Sequence, residues 1–347
     1  MKAIQRIALE CSLARNRISS KRHSEERSLF QWGIVGTGFM GEQFSRYLAR
    51  TRGVNIRAVH SRSKQRGRQF SKRHGAVAYY DNITDMVRGE RGRLDAVYIA
   101  TPVLTHYEIA KPFLEAGYNV LCEKPLCVNR QQAEELFDIA HRSGAFLFSG
   151  MWSLYLPTVV QASEWVNEGK IGEIERIEAS IQKERQGGEP SCLLDFGAYP
   201  IAFALRFLHP GRLSITAAAC RDEGGIDRSW NLEVTDAQGV SAHIELSTLN
   251  AGESSAHIIG SAGVVEIPSQ FNRASTVRLL SLDGRLDEEK SFSYRCDGFE
   301  YEINKVILTV RHATESNLQE AESLALAAMM EELSREKAAS FNFTVAL

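Results

Sequence analysis

Apolar positions between residues 29 and 150 fall into short, nearly unbroken runs separated by amphipathic stretches of helical period. Leu29–Val35, Val54–His60, Asp95–Ala100, Tyr118–Cys122 and Phe146–Ser149 read as strands. Glu42–Arg50, Gln65–His74, Thr105–Ala116 and Arg130–Ser143 read as helices, the last with Asn129 placed to cap it. Strand and helix alternate, which predicts a doubly wound parallel sheet with helices on both faces. After Gly150 the period changes. Thr158–Glu168 and Cys192–Leu208 read as helices. Ile174–Lys183, Leu213–Ala219, Trp230–Thr235, Val240–Ser247, Ala256–Ile259 and Val264–Ile267 read as strands alternating apolar with polar positions. That is an α+β region built on a large, mostly antiparallel open sheet. Phe299–Thr309 and Gln319–Arg335 read as closing helices.

The expected organisation is a basic arm over 1–28, a Rossmann domain over 29–150 and a substrate and oligomerisation domain over 151–347. The late helices, 299–335, are candidates to pack back on the first domain. A length of 347 residues agrees with about two domains. The arm carries Lys2, Arg6, Arg15, Arg17, Lys21, Arg22 and Arg27 against Glu10, Glu25 and Glu26, without an apolar core segment. It reads either as a loose terminus or as an organelle transit peptide. A net charge of −2 argues against nucleic acid as a partner, and the lack of a long apolar run argues against a membrane span. The six cysteines are scattered without ligand spacing, which points to free thiols and a cytoplasmic setting. The nine histidines show no ligand spacing either, so no metal is expected.

Four motifs carry chemistry. Gly36-Thr37-Gly38-Phe39-Met40-Gly41 follows the first strand and opens a helix. Its glycines suit a tight turn, close approach of a pyrophosphate and close helix–strand packing, with the helix N-terminus facing the phosphates. An acid near the end of the second strand would hold the 2′-hydroxyl of NAD. That place reads His60-Ser61-Arg62-Ser63-Lys64, so Ser61 and Arg62 point to the 2′-phosphate of NADP, with NAD possible. Glu123-Lys124-Pro125 follows a buried strand, where ligands of such sheets gather. In Leu194-Asp195-Phe196-Gly197-Ala198-Tyr199, an α-helix would put Asp195 and Tyr199 on one face. They form either a structural hydrogen bond or, near a lysine, a proton-transfer set in which the ammonium favours the phenolate. His106 starts the helix after the third long strand and either lines a cofactor cleft or caps at the surface.

Together GIVGTGFMG, AVYIATPVLTHYEIA, NVLCEKPL and LLDFGAYPI, in this order, resemble the Gfo/Idh/MocA oxidoreductases over about residues 30–335. LCEKP, Trp152, Tyr199 and Gly298-Phe299-Glu300-Tyr301-Glu302 are similar to the trans-dihydrodiol and D-xylose dehydrogenase branch, which uses NADP. The resemblance implies that Gly36, Thr37, Gly38, Phe39, Met40 and Gly41 hold pyrophosphate and that Ser61 and Arg62 sit at the adenosine ribose. It implies that Thr101, Pro102 and His106 line the cofactor cleft, with Glu123 and Lys124 near nicotinamide and substrate. Tyr199 is then the general acid/base, with Lys124 tuning it and Asp195 orienting substrate. The chain departs from the branch at Leu154, where arginine is usual, and at Pro190-Ser191-Cys192, where a glycine-rich run is usual.

The expected activity is hydride transfer between nicotinamide and a carbinol or ketone carbon of a sugar, polyol, cyclitol or dihydrodiol, in a homodimer or higher homo-oligomer. The alternatives are an NAD-dependent glycoside hydrolase and a non-catalytic NADP-binding sensor.

Overall fold

A computed structural model describes residues 29–185, 191–268, 270–313, 317–335 and 338–346. The expected basic arm over 1–28 lies outside the described residues. The chain divides into two compact units. Among the described residues, the first holds 29–152 and 295–327, and the second holds 153–294 and 328–346.

The first unit is built on six parallel strands: β1 (Phe30–Val35), β2 (Val54–His60), β3 (Ala78–Tyr80), β4 (Ala96–Ile99), β5 (Asn119–Glu123) and β6 (Leu147–Gly150). They lie in the order β3-β2-β1-β4-β5-β6. The order reverses direction between β1 and β4, and the crevice outside the carboxyl ends of strands at such a switch is where doubly wound sheets take ligands. The crossovers are α1 (Phe39–Arg50), α2 (Lys64–His74), α3 (Ile83–Gly89), α4 (His106–Glu115) and α5 (Arg130–Ser143). β4 is buried at all four positions, as expected of a strand covered on both faces. On one side Tyr98 stacks on Phe44 with ring centres 3.8 Å apart, and Phe44 meets Trp32 edge-on. On the other, Val97 and Ile99 join Phe113, Val120 and Leu136 in a hydrophobic core. The Asn129 side chain accepts the Gln132 N–H at 2.8 Å and caps α5. β3 and α3 have no counterpart in the hydrophobic pattern, because three and seven residues are too few to establish a period.

The second unit contains α6 (Pro157–Asn167), β7 (Ile174–Gln182), α7 (Ala198–Phe207) and the strands β8 (Arg212–Arg221), β9 (Asp227–Thr235), β10 (Ser241–Ser247), β11 (Ala256–Gly260), β12 (Val264–Ile267), β13 (Thr276–Leu280), β14 (Leu286–Ser291) and β15 (Ser340–Ala346). With β7 they form a nine-stranded sheet, β14-β13-β12-β11-β7-β10-β9-β8-β15. Every pairing is antiparallel except β7 with β10. α6 packs on β12 and β13, and α7 on β7 and β10, over residues such as Ile177, Ala179 and Ile244. β13 and the two edge strands, β14 and β15, were not expected. β14 reads LDEEKS, and charge of this kind protects an edge from pairing while hiding the strand from a hydrophobic pattern.

The outward face of this sheet carries a row of acids, histidines and an arginine beside an apolar row of Ile259, Val264 and Leu280. Glu233, His243, Glu178, His257, Glu266, Arg278 and Glu289 stand in register across seven neighbouring strands. His243 lies 2.7 Å from Glu233, and Arg278 bridges Glu266 at 3.1 Å and Glu289 at 2.8 Å.

Two helices precede β15, α8 (Phe299–His312) and α9 (Asn317–Arg335). α8 belongs to the first unit. Its Phe299 stacks on Tyr47 of α1 and on Trp152, and the Tyr47 hydroxyl donates to Asp297 at 2.7 Å.

Candidate active site

In the first unit the loop after β1 is shaped by its glycines. Gly36 has φ +106°, and a side chain there would collide with the Ala100 carbonyl oxygen at 2.4 Å. A side chain on Gly41 would lie 2.1 Å from the Gly36 carbonyl oxygen, so α1 can start this close to β1 only with glycine. Gly38 is different: it is the N-cap of α1, no side chain caps the helix there, and nothing lies within 4 Å of where its Cβ would be. The first turn of α1, including Phe39, Met40 and Gly41, therefore presents backbone N–H groups to an open space. That fits a dinucleotide pyrophosphate.

At the end of β2, Ser61 is buried and its hydroxyl lies 3.0 Å from that of Thr37, joining the glycine loop to the second strand. Arg62 beside it is exposed. Three other cations of the basic stretch are bound to acids: Arg57 donates to buried Glu90 at 2.6 Å, Lys64 pairs with Asp81 and Arg73 with Glu42. The arrangement suits a phosphate held by Arg62, with Ser61 fixing the turn.

The loops after β4 and β5 are tied to each other. His106 is 1% exposed, with Nδ1 2.9 Å from the Pro125 carbonyl oxygen and Nε2 2.8 Å from that of Thr101. Burial holds the imidazole below its ordinary pKa, so the ring is neutral and donates to one carbonyl at a time. His106 is thus neither a surface residue nor a cap; it fixes the loops that carry Thr101, Pro102 and Lys124. Thr105 Oγ1 donates to the Pro102 carbonyl at 2.7 Å and holds the same turn. Glu123 is buried and accepts from the Tyr98 hydroxyl and the Lys124 N–H. Lys124 follows it, half-buried. Phe39 and Leu104 are 77% and 79% exposed; Phe39 opens α1 after β1, and Leu104 lies in a single 3-10 turn after β4. Exposed apolar side chains flanking a switch point offer a flat ring a contact surface. Leu104 had no signal in the sequence beyond its place in that turn.

In the second unit, residues 193–197 form a π-turn that leads directly into α7. Asp195 lies in that turn and Tyr199, half-buried, in the first turn of α7. The expected α-helix is therefore corrected to a π-turn at this place, with Asp195 inside it and Tyr199 just beyond its end. Asp195 is bound by Arg185, Nη1 to Oδ2 2.6 Å, with the guanidinium over the Phe196 ring. The anchor of the turn is Asp227 of β9. Its Oδ2 accepts from the Leu193 N–H at 3.0 Å, the Cys192 thiol at 3.0 Å and the Trp230 indole at 2.9 Å. Burial pushes its carboxyl up, but these bonds and one from Ser191 outweigh it and hold the group below its ordinary value. Arg185 and Asp227 were missed in the sequence because their partners lie 10 and 34 residues away and no period links them. Leu154, where the branch has arginine, is buried, and Arg206 donates to its carbonyl at 3.3 Å.

Among the described residues no group of three His, Cys, Asp or Glu is placed to hold a metal ion, and no helix is long and apolar enough to cross a membrane.

Residues 30–151 match the oxidoreductase family described by its NAD-binding Rossmann fold, and residues 159–266 match the GFO/IDH/MocA C-terminal domain. The chain is 32% identical over 255 residues to the dTDP-3,4-didehydro-2,6-dideoxy-alpha-D-glucose 3-reductase of Actinomadura kijaniata, covering 69% of this chain and 74% of the reductase. It is 26% identical over 317 residues to the trans-1,2-dihydrobenzene-1,2-diol dehydrogenase of Xenopus laevis, covering 86% and 93%. Among solved structures, KijD10, a 3-ketoreductase from Actinomadura kijaniata in complex with NADP and TDP-benzene, superposes with a TM-score of 0.77 at 25% identity, covering 88% of this chain and 96% of that one. Two successive domain matches, in the order the two sheets take along the chain, place this protein in the Gfo/Idh/MocA family of oxidoreductases.

Proposed function

We propose that this oxidoreductase passes hydride between NADP and a carbinol or ketone carbon of a sugar, cyclitol or dihydrodiol, with Tyr199 as general acid/base. The observation that carries the reading is the Gly36–Gly41 loop with open space at Gly38, beside a β2 end that offers Ser61 and Arg62 and no acid. NADP in the KijD10 structure and the diol and sugar substrates named for the relatives support the same choice.

When bound, the nicotinamide supplies the hydride acceptor or donor. In oxidation Tyr199 takes the hydroxyl proton as the carbinol carbon loses hydride, leaving a carbonyl. In reduction Tyr199 returns the proton to the new alkoxide oxygen. Lys124 supplies a cation that favours the phenolate, and Asp195, held by Arg185, orients the substrate's hydroxyls. The Asp227 bonds keep the Tyr199 segment in one conformation, so that little reorganisation is needed at the moment of transfer. The reading includes self-association through the outward face of the nine-stranded sheet.

A panel of polyols, sugars and dihydrodiols with NADP, followed at the nicotinamide absorbance, tests the proposal. It expects turnover of at least one member. Glycosidic cleavage with no net change of cofactor would replace it with the hydrolase reading. NADP binding without either reaction would leave a sensor.

A further inference from the structure

Behind Lys124 the first unit buries two carboxylates. Glu123 ends β5 and is 7% exposed, and Glu302 of α8 is 1% exposed. Both Glu123 oxygens have donors, Tyr98 on one and the Lys124 N–H on the other. Glu302 Oε1 is buried and has no hydrogen-bond partner. The ionisable group whose field acts on Glu302 is Glu123, itself an acid. Tyr98 of β4 feels both carboxylates and the Cys122 thiol, and the cation acting on the cluster is Lys124, through Glu123.

A buried charge without a partner is too costly to persist, and two carboxyls in one apolar pocket do not both ionise. Burial raises the Glu123 carboxyl as well, but its two donors and Lys124 oppose that, so of the pair Glu123 ionises first. We propose that Glu302 remains a neutral acid at working pH and that its proton sets the negative charge standing behind Lys124, making it a positioning residue for that lysine. Burial first, then the Glu123 charge, pushes the Glu302 carboxyl well above its ordinary range. The inference rests on the reading of Lys124 given above, but its test needs no substrate.

The sign follows from linkage. An acid raised in the folded state stabilises the fold below its unfolded pKa, and that contribution is lost as pH rises toward the folded value. Denaturant unfolding of the full chain is therefore compared with Glu302→Gln across pH. Above the ordinary carboxylate range, the unfolding constant of the wild type should climb relative to the variant by up to about tenfold per pH unit. The infrared spectrum of the wild type at neutral pH should show a protonated carboxyl band that Glu302→Gln lacks. The third readout is the pH dependence of Lys124 acylation by an amine reagent, followed by mass spectrometry. At the alkaline pH where Glu302 ionises, its charge adds to that of Glu123 and holds the ammonium, so in Glu302→Gln the lysine should become reactive at lower pH. Glu302→Met gives the same comparison if the amide does not fold. Parallel stability curves with no protonated band would overturn the neutral acid. A band with unchanged Lys124 reactivity would reduce Glu302 to packing and overturn the positioning role. Lack of turnover on the substrate panel would overturn the proposed reaction and leave these results standing.

Discussion

Ser61 and Arg62 are adjacent in sequence and opposite in environment. The serine is buried against Thr37, and the arginine is exposed at the end of β2. A 2′-phosphate gains charge-assisted bonds from the arginine that a 2′-hydroxyl does not. Arg62→Ala should therefore weaken NADP binding by about tenfold or more, equivalent to roughly 1.5–3 kcal/mol for a hydrogen bond to a charged group, and leave NAD binding nearly unchanged. Calorimetric titration of both cofactors checks this, and tighter binding of NAD than of NADP to the wild type would contradict it. At this scale the sequence was most legible where a residue type has one physical use. Gly36 and Gly41 could be placed because no side chain fits. His106 could be placed in a loop but not assigned, since the two carbonyls that hold it come from segments only the fold brings together. Asp227 gave no signal and Glu302 stood out only as the last residue of a branch-like motif, as an acid's burial depends on what packs over it.

Among elements, the segment from Ser191 to Phe207 shows why local pattern is not enough. Its apolar content predicts a helix and a helix forms, but it opens on a π-turn whose start is held by bonds to Asp227. Asp227→Ala should leave a buried indole and a backbone N–H without an acceptor and cost about 1–3 kcal/mol. Because the folded carboxyl lies below its ordinary value, its contribution is complete above the unfolded pKa near 3.9 and is lost as pH falls through the folded value. Denaturant melts at neutral pH should show the loss, and the difference from wild type should shrink in strong acid. A difference independent of pH would mean that the ionised form does not anchor the turn. The long strands and helices were legible because both faces of β4 and β5 are apolar and the helices alternate at full period. β14 was hidden by its own charges.

At the scale of the whole molecule, the outward row of Glu233, His243, Glu178, His257, Glu266, Arg278 and Glu289 bears on assembly. Self-association is expected at the sheet face that the helices leave uncovered, and its row of carboxylates, histidines and an arginine associates through complementary fields that salt screens. Light scattering should give a multiple of 38.7 kDa at low ionic strength, falling toward one chain at high salt. A mass of one chain under both conditions would contradict association.

The central claim is that Tyr199 moves the proton. It is tested most directly by the rate–pH profile of Tyr199→Phe, Lys124→Ala and the double variant on any substrate from the panel. Removing the hydroxyl should leave NADP binding intact and lower kcat by about a hundredfold to ten-thousandfold, the usual contribution of general acid/base catalysis. Lys124→Ala should lower it comparably and shift the profile to higher pH in the oxidative direction, because the cation favouring the phenolate is lost. The double variant should be little worse than either single one, since both residues serve one proton transfer. Near-normal turnover by Tyr199→Phe would contradict the account, leaving the dinucleotide loop as the functional feature that still stood.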